Sequence, residues 1–302
     1  MPRLFDSFVM VNWSAASKPA TGKDSIWIGA LVPDARLRLT FRASNPPTRQ
    51  AAYEQLKELL TRLTNRGDRV LLGFDFPFGF PNGTSEKLGL KAETPFNAIG
   101  DFLNKEMKDK PDNTNNRFAL AARMNRLISD GPFPFWGCPK RDELTTLSVK
   151  KAREHSPEDM PEFRQTETAM IAKKLGRPQP VWKIAYAGAV GGQTMTGLPY
   201  IHKLRDDFAD MKLWPFELPL APLDTETLGN TSIVATEIYP AMIELKVIDT
   251  EIRDETIVRI IAEYYADLDE KDRLSPLFAG PEKATNTEKT AISTEEGWIL
   301  GV

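Results

Sequence analysis

Four acidic residues and one asparagine occupy places in the chain where they could bind a divalent cation or exchange protons. Asp75 stands in the segment Val70–Pro81, VLLGFDFPFGFP, where a run of Val and Leu breaks at Gly73. An apolar run before a Gly/Pro cluster predicts a buried strand that ends in a sharp turn. A carboxylate among apolar side chains is costly to bury unless it meets a proton, a cation or a donor. Asp75 is therefore a candidate site residue; its alternative role is to cap the turn by accepting backbone N–H groups.

The other members of this set have comparable positions. Asn12 ends a first apolar run, Glu237 lies at the end of a late one, and Asp269 and Asp272 follow a predicted helix. Oxygen ligands from distant parts of a chain are what Mg²⁺ and Mn²⁺ require, and ligands in open α/β sheets bind at the carboxyl ends of the strands. We therefore expect Asp75, Glu237, Asp269 and Asp272 to bind metal. Acids at strand and helix ends also serve as caps and solvated faces.

A second group of polar residues could contact a substrate. Arg164 precedes a predicted helix that contains Glu167, and arginine is suited to bidentate recognition of phosphate or carboxylate. Gln193 lies in the glycine-rich stretch Trp182–Gly197, and Ser14 directly follows the first strand. Glycines at this density let a backbone approach a phosphate or another chain segment closely. The alternatives are a salt-bridged helix cap at Arg164 and close helix packing at the glycines.

The elements that must position these residues begin with a meander of strands. Apolar or alternating runs predict strands at Phe8–Trp13, Asp24–Val32 and Leu37–Arg42. Thr48–Thr64 has leucines at helical spacing with Thr48 as the N-cap, and the strand Val70–Phe74 follows. This β-β-β-α-β order, with a crossover helix before a parallel strand, is how the ribonuclease H-like fold begins.

The remainder predicts a single α/β domain over residues 1–302 with a mainly helical insertion at residues 82–180. A strand at Ser232–Pro240 and a helix at Thr256–Tyr265 follow the insertion. The helices expected within the insertion are Phe96–Met107, Asn116–Ile128, Ser148–Glu154 and Arg164–Leu175.

The composition narrows the class of partner. A net charge of −3 provides no basic field for binding a nucleic-acid duplex without specificity. A single cysteine, Cys138, excludes an internal disulfide and suits a reducing compartment. The absence of a membrane-length apolar run and of a signal pattern predicts a cytoplasmic protein.

Six segments distributed over nearly the whole chain resemble domain-of-unknown-function family 429. They are VNWSAAS, GFDFPFGFP, FRQTE, WKIAYAGAVGGQTMTGLP, TEIYP and EEGWILGV. The resemblance implies a ribonuclease H-like fold and a nuclease-type hydrolase that uses Mg²⁺ or Mn²⁺ and acts on nucleic acid or a nucleotide. Asp75 and Glu237 match the family's acidic positions.

The sequence departs from the family pattern at two places, the end of the first strand and the C-terminal acidic block. The first strand ends in Asn12 where the family has Asp, and Arg273 and Pro276 interrupt the C-terminal acidic block DEKDRLSPLF. Asparagine is a neutral and weaker ligand for a hard cation, so a metal site would lose one charge. The sequence therefore predicts a metal-dependent phosphodiester hydrolase with a reduced metal site. The alternatives are a nucleotide- or small-molecule-binding relative and an inactive scaffold of the same fold.

Overall fold

The computed structural model describes residues 3–243 and 252–302, and six strands within these ranges form one mixed sheet. The strands are β1 Ser7–Asn12, β2 Trp27–Pro33, β3 Leu39–Ser44, β4 Val70–Phe74, β5 Met211–Leu213 and β6 Ile233–Glu237. Their spatial order is β3-β2-β1-β4-β6-β5. β1, β2 and β3 pair antiparallel, whereas β1 with β4, β4 with β6, and β6 with β5 pair parallel. The expected antiparallel meander followed by parallel strands is confirmed.

Helices lie between and after these strands. They are α1 Arg49–Asn65, α2 Thr84–Lys87, α3 Pro95–Glu106, α4 Arg117–Ser129, α5 Gln165–Lys173, α6 Gly191–Asp207, α7 Thr225–Leu228, α8 Arg253–Glu270 and α9 Asn286–Ala291. Short 3₁₀ turns occur at Lys140–Asp142, Pro240–Met242 and Ser275–Ala279, and a π-turn at Ile292–Glu296. No helix in the described ranges is both long and apolar enough to cross a membrane.

Local sequence explains the start of α1. The hydroxyl of Thr48 accepts a hydrogen bond from the amide of Ala51, as an N-cap residue does. Leu56, Leu60 and Leu63 fall on one side of the helix and are buried against the sheet. This buried stripe packs α1, which joins β3 to β4, against one face of the sheet. The chain then returns as β4, which pairs parallel to β1.

Alternate residues of the central strands face two different hydrophobic cores. Val9 and Val11 pack in the core that includes α1 and α6, whereas Phe8 and Met10 pack in the core that includes α8. The sheet is therefore covered by helices on both faces. The side of the sheet that a strand-end residue faces depends on whether its position is odd or even in this alternation.

Several elements differ from the expectations, among them α6, which begins in a stretch that the sequence marks only as glycine-rich. Residues 148–154 are not helical, because the hydroxyl of Ser148 bonds the carbonyl of Lys150 and local polar contacts replace a helical ladder. β5 was not expected, since three residues are too few to show a period. The late helix expected at Thr256–Tyr265 is α8, which begins three residues earlier and ends five residues later.

Candidate functional site

The carboxyl ends of β1 and β4 bring Asn12 and Asp75 side by side. Val11 of β1 is paired with Phe74 of β4, so the next residue of each strand lies at the same edge of the sheet. The amide of Trp13 donates to Oδ1 of Asp75 at 2.8 Å. Both Asn12 and Asp75 are partly exposed. The structure thus shows Asp75 as a turn acceptor whose side chain is partly exposed.

A third polar residue, Asp254, joins this pair from the first turn of α8. Its Oδ2 accepts the amide of Asp24 at 2.7 Å, and Nδ2 of Asn12 donates to the carbonyl of the adjacent Ser25 at 2.9 Å. The negative charge of Asp254 also acts on Asp75. Sequence reasoning missed Asp254, although an Asp-Glu pair directly before an apolar helical stripe is the signal of a helix start.

Burial and charge make Asp75 an unusual acid. Burial raises the pKa of Asp75 to about 7, and the charge of Asp254 adds to this shift although the Trp13 amide opposes it. Burial also raises the pKa of Asp254 itself, with the nearby charge of Asp24 acting in the same direction. Two acids that resist ionisation at one exposed edge are suited to share a proton or a cation.

The oxygen atoms of these three residues are of the type that a hard cation accepts. Asn12 donates through its Nδ2, and its Oδ1 accepts no hydrogen bond from the residues that the structure describes. Two carboxylates and one amide oxygen are ligands of the kind that Mg²⁺ and Mn²⁺ accept. Within residues 3–243 and 252–302, no three Asp, Glu, His or Cys side chains lie together as a metal-ligand group. A cation here would therefore have two charged protein ligands, with Asn12 as the neutral third.

Glu237, expected as a metal ligand, faces away from this cluster. It is paired with Phe74, so it shares the sheet face of Phe74 and not that of Asp75. The side chain is buried, and it accepts hydrogen bonds from the Phe78 amide at 3.2 Å and from Arg164 at 2.6 and 2.8 Å. Burial raises the pKa of Glu237 despite the opposing charge of Arg164. Glu237 therefore holds the turn after β4 in place.

Arg164, expected to contact phosphate, is bound instead by the protein. Its guanidinium forms ion pairs with Glu167 and Glu237 and also donates to the carbonyl of Glu296 at 2.8 Å. The arginine is 1% exposed, and Glu167 is buried as well. The two carboxylates occupy the fork that an anion would need, so Arg164 and Glu167 join α5 to β6. Arg164 therefore has the alternative role that its sequence allowed, that of a salt-bridged helix cap.

Asp269 and Asp272 lie at the other end of the sheet. Asp269, near the end of α8, accepts the amides of Leu4 and Phe5 at 2.9 Å each, just before β1 begins. Asp272 follows the end of the same helix, and its amide donates to the carbonyl of Asp269 at 3.1 Å. The structure therefore does not bring Asp75, Glu237, Asp269 and Asp272 into one metal site. The reason is that α8 has its first turn, not its last, at the carboxyl edge of the sheet.

Ser14 and Gln193 do lie at the carboxyl edge, as supports. Gln193 of α6 donates from Nε2 to the carbonyl of Trp13 at 2.7 Å. Ser14 accepts the amide of Ala16 with its hydroxyl, at 3.3 Å, and a hydrogen bond from Arg49 with its carbonyl, at 3.0 Å. Both residues fix the loop after β1, whose first amide binds Asp75.

A groove of about 900 Å³ lies elsewhere, between α5 and the C-terminal residues. Prolines and apolar side chains such as Leu277 and Trp298 form much of its wall. Its charged residues include Lys173, Glu282 and Glu288, and none of them belongs to the cluster of Asn12, Asp75 and Asp254. We therefore place the reactive groups at the carboxyl edge of the sheet and not in this groove.

Comparison of the chain with protein-family models, curated proteins and solved structures finds no match. The function must therefore be inferred from the chemistry of Asn12, Asp75 and Asp254.

Proposed function

We propose that the protein is a metal-dependent phosphodiester hydrolase of ribonuclease H-like fold, with its site formed by Asn12, Asp75 and Asp254. The observation that carries this proposal is that Asn12 and Asp75 follow neighbouring parallel strands at one edge of the sheet. Asp254 binds the Asp24 amide beside Ser25, the partner of Asn12, and its charge acts on Asp75. Phosphoryl transfer needs a cation and positioned oxygen ligands more than it needs covalent chemistry. A pair of adjacent acids with raised pKa values provides such ligands.

The arrangement of the strands supports the fold in this proposal. The chain opens with β1, β2 and β3 antiparallel, crosses through α1, and returns with β4 parallel to β1. The resemblance to family 429 implies the same opening and places an acid at the end of the fourth strand. Asp75 occupies that place.

Each residue has a defined part in this reaction. Asp75 and Asp254 would hold the cation, and Oδ1 of Asn12 would complete the protein ligands. A bound Mg²⁺ or Mn²⁺ ion supplies Lewis acidity and neutralises charge on the phosphoryl oxygens. The Trp13 amide orients Asp75, and the Asp24 amide orients Asp254. Because Asp75 must lose its proton to bind metal, we expect metal affinity to increase as the pH rises toward about 7.

Hydrolysis of bis-p-nitrophenyl phosphate with Mn²⁺ tests the proposal. We expect the wild type to hydrolyse it and Asp254→Asn to lose at least about 100-fold in rate, the scale of losing a positioned catalytic group. Asp269→Asn is the matched control, because it makes the same chemical change at the far end of α8, and it should keep the rate. Equal rates in the wild type and Asp254→Asn would contradict the proposal, as would a wild type inactive with both Mn²⁺ and Mg²⁺.

A further inference from the structure

A buried arginine that contacts the loop after β1 has no anionic partner. Arg117, the first residue of α4, is 9% exposed. Its Nη1 donates to Ser17 at 2.9 Å and to Asn115 at 3.0 Å, both neutral side chains. Its Nε is buried and has no partner among the described residues. Desolvating a guanidinium is costly unless an anion and a full set of acceptors surround it.

The two other buried arginines in the described ranges both have an acidic partner. Arg49 forms an ion pair with Asp109 at 2.5 Å, and Arg164 forms ion pairs with Glu167 and Glu237. Asp109 and Asp142 act on Arg117 only from beyond ion-pair distance. Burial, followed by the like charge of Arg49, lowers the pKa of Arg117 to about 10. Arg117 is thus the one of these three without an ion pair, and its guanidinium lies over the Phe118 ring, 4.2 Å from the ring centroid.

The N-terminus of α6 lies directly against this arginine. A Cβ added to Gly192 would be 3.5 Å from Cδ of Arg117 and 2.7 Å from the carbonyl oxygen of Ile184. The backbone of this 17-residue helix thus packs against the aliphatic stem of Arg117 and, at 3.2 Å, against Cβ of Ala15, where only glycine leaves room. The amides of Gly192 and Gln193 donate to no acceptor within the described ranges. Such amides and the helix dipole favour an anion at this end.

The loop after β1 joins this place to the carboxylates. Trp13 donates its amide to Asp75 and accepts Gln193 of α6 at its carbonyl, while Ser17 accepts Arg117. We propose that Arg117, Ser17 and the first amides of α6 form a subsite for one phosphate group of a nucleotide-sized substrate. This subsite rests on the proposed function, because it would hold a second phosphate of the substrate whose phosphodiester would be hydrolysed at the cation held by Asp75 and Asp254. One arginine and one helix end match a single phosphate, and the net charge of −3 does not favour a long polyanion.

Titration with inorganic phosphate and with a nucleoside monophosphate, without metal, tests this subsite. We expect both to bind the wild type, and Arg117→Met to weaken binding at least about tenfold, since a charged, bidentate donor is lost. Arg126→Met is the matched control, because it removes an equal charge from the exposed face of the same helix, and it should bind as the wild type does. Arg117→Met should remain folded, because it removes a buried charge that no protein anion matches and keeps an aliphatic stem.

Each result of this titration either supports the phosphate subsite or contradicts it. Unchanged phosphate binding in Arg117→Met, or equal weakening in Arg126→Met, overturns the subsite, as does a wild type that binds neither ligand above a chloride control of equal ionic strength. Asp254→Asn separates this proposal from the hydrolase. Phosphate binding that persists in Asp254→Asn, in a protein that hydrolyses no phosphodiester, would support the anion subsite and reject the catalytic proposal.

Discussion

Asp75→Asn is expected to stabilise the metal-free protein at pH 8 while it removes metal binding. The pKa of Asp75 is raised from 3.8 to about 7, so the folded state binds a proton more tightly than the unfolded state does. The stability that the protonated carboxyl provides is complete below pH 3.8 and is lost as the pH rises through about 7. This difference in pKa corresponds to at most ~4 kcal/mol, and we expect a change in the free energy of unfolding of about 1–2 kcal/mol, because the side chain is partly exposed. Asparagine keeps an acceptor for the Trp13 amide.

Urea unfolding with EDTA at pH 5 and pH 8 measures this effect. The free energy of unfolding of Asp75→Asn should exceed that of the wild type clearly at pH 8 and by less at pH 5. Asp34→Asn is the control, because the Arg38 amide holds the pKa of that carboxyl below its usual value. Its effect should have the opposite sign, with stability lost at pH 8. A variant less stable than the wild type at pH 8 would show that Asp75 has a purely structural role.

Arg164→Met is expected to destabilise the protein more than any variant named so far. It leaves Glu167 and Glu237 buried with no cation between them, and breaking a buried pair in this way costs about 3–5 kcal/mol. Glu237 must then take up a proton to remain buried, so its pKa, already raised by burial, should rise further once the opposing charge of Arg164 is gone. The variant should consequently recover stability as the pH falls from 8 to 5. Thermal or urea unfolding at both pH values measures this.

The triple variant Arg164→Met, Glu167→Gln, Glu237→Gln is the matched control. It removes all three charges together and keeps an acceptor for the Phe78 amide, so most of the lost stability should return. If Arg164→Met were as stable as the wild type at pH 8, the ion pairs would contribute nothing, and Arg164 would again be available as an anion ligand.

The opening of the fold could be predicted from local patterns alone. The strands near Asn12 and Asp75 and the helix capped by Thr48 have unambiguous periods, and the observed bounds lie within a few residues of the expected ones. The short turn between β2 and β3 leaves few ways to arrange these two strands. The meeting of Asn12 and Asp75 follows from this arrangement, because neighbouring parallel strands end at the same edge.

The partners of Asp75 could not be predicted in the same way. Glu237 lies at a strand end, as Asp75 does. Because Glu237 is paired with Phe74 and not with Asp75, the two acids point to opposite faces of the sheet. A one-residue difference turns a side chain to the other face of the sheet, and sequence spacing does not reveal the register. The choice between Asp254 and Asp269 depended on which end of α8 meets the carboxyl edge, which only the packing of that helix decides.

Arg164 shows a different limit. Its spacing of three residues from Glu167 was a signal for a local ion pair. In the fold this pair is buried, and Arg164 is also bound by Glu237 and by the Glu296 carbonyl, which are distant in sequence. Arg117, in contrast, carried no signal, since its lack of an anionic partner becomes visible only when the residues around it are known.

Calorimetric titration with Mn²⁺ tests the central claim most directly, on the wild type, Asp254→Asn and Asp269→Asn at pH 8. If Asn12, Asp75 and Asp254 form the cation site, the wild type binds one Mn²⁺, Asp254→Asn weakens binding at least about tenfold, and Asp269→Asn binds as the wild type does. Binding that survives in Asp254→Asn but disappears in Asp269→Asn would place the metal at the other end of the sheet. A wild type without measurable binding would equally contradict the account.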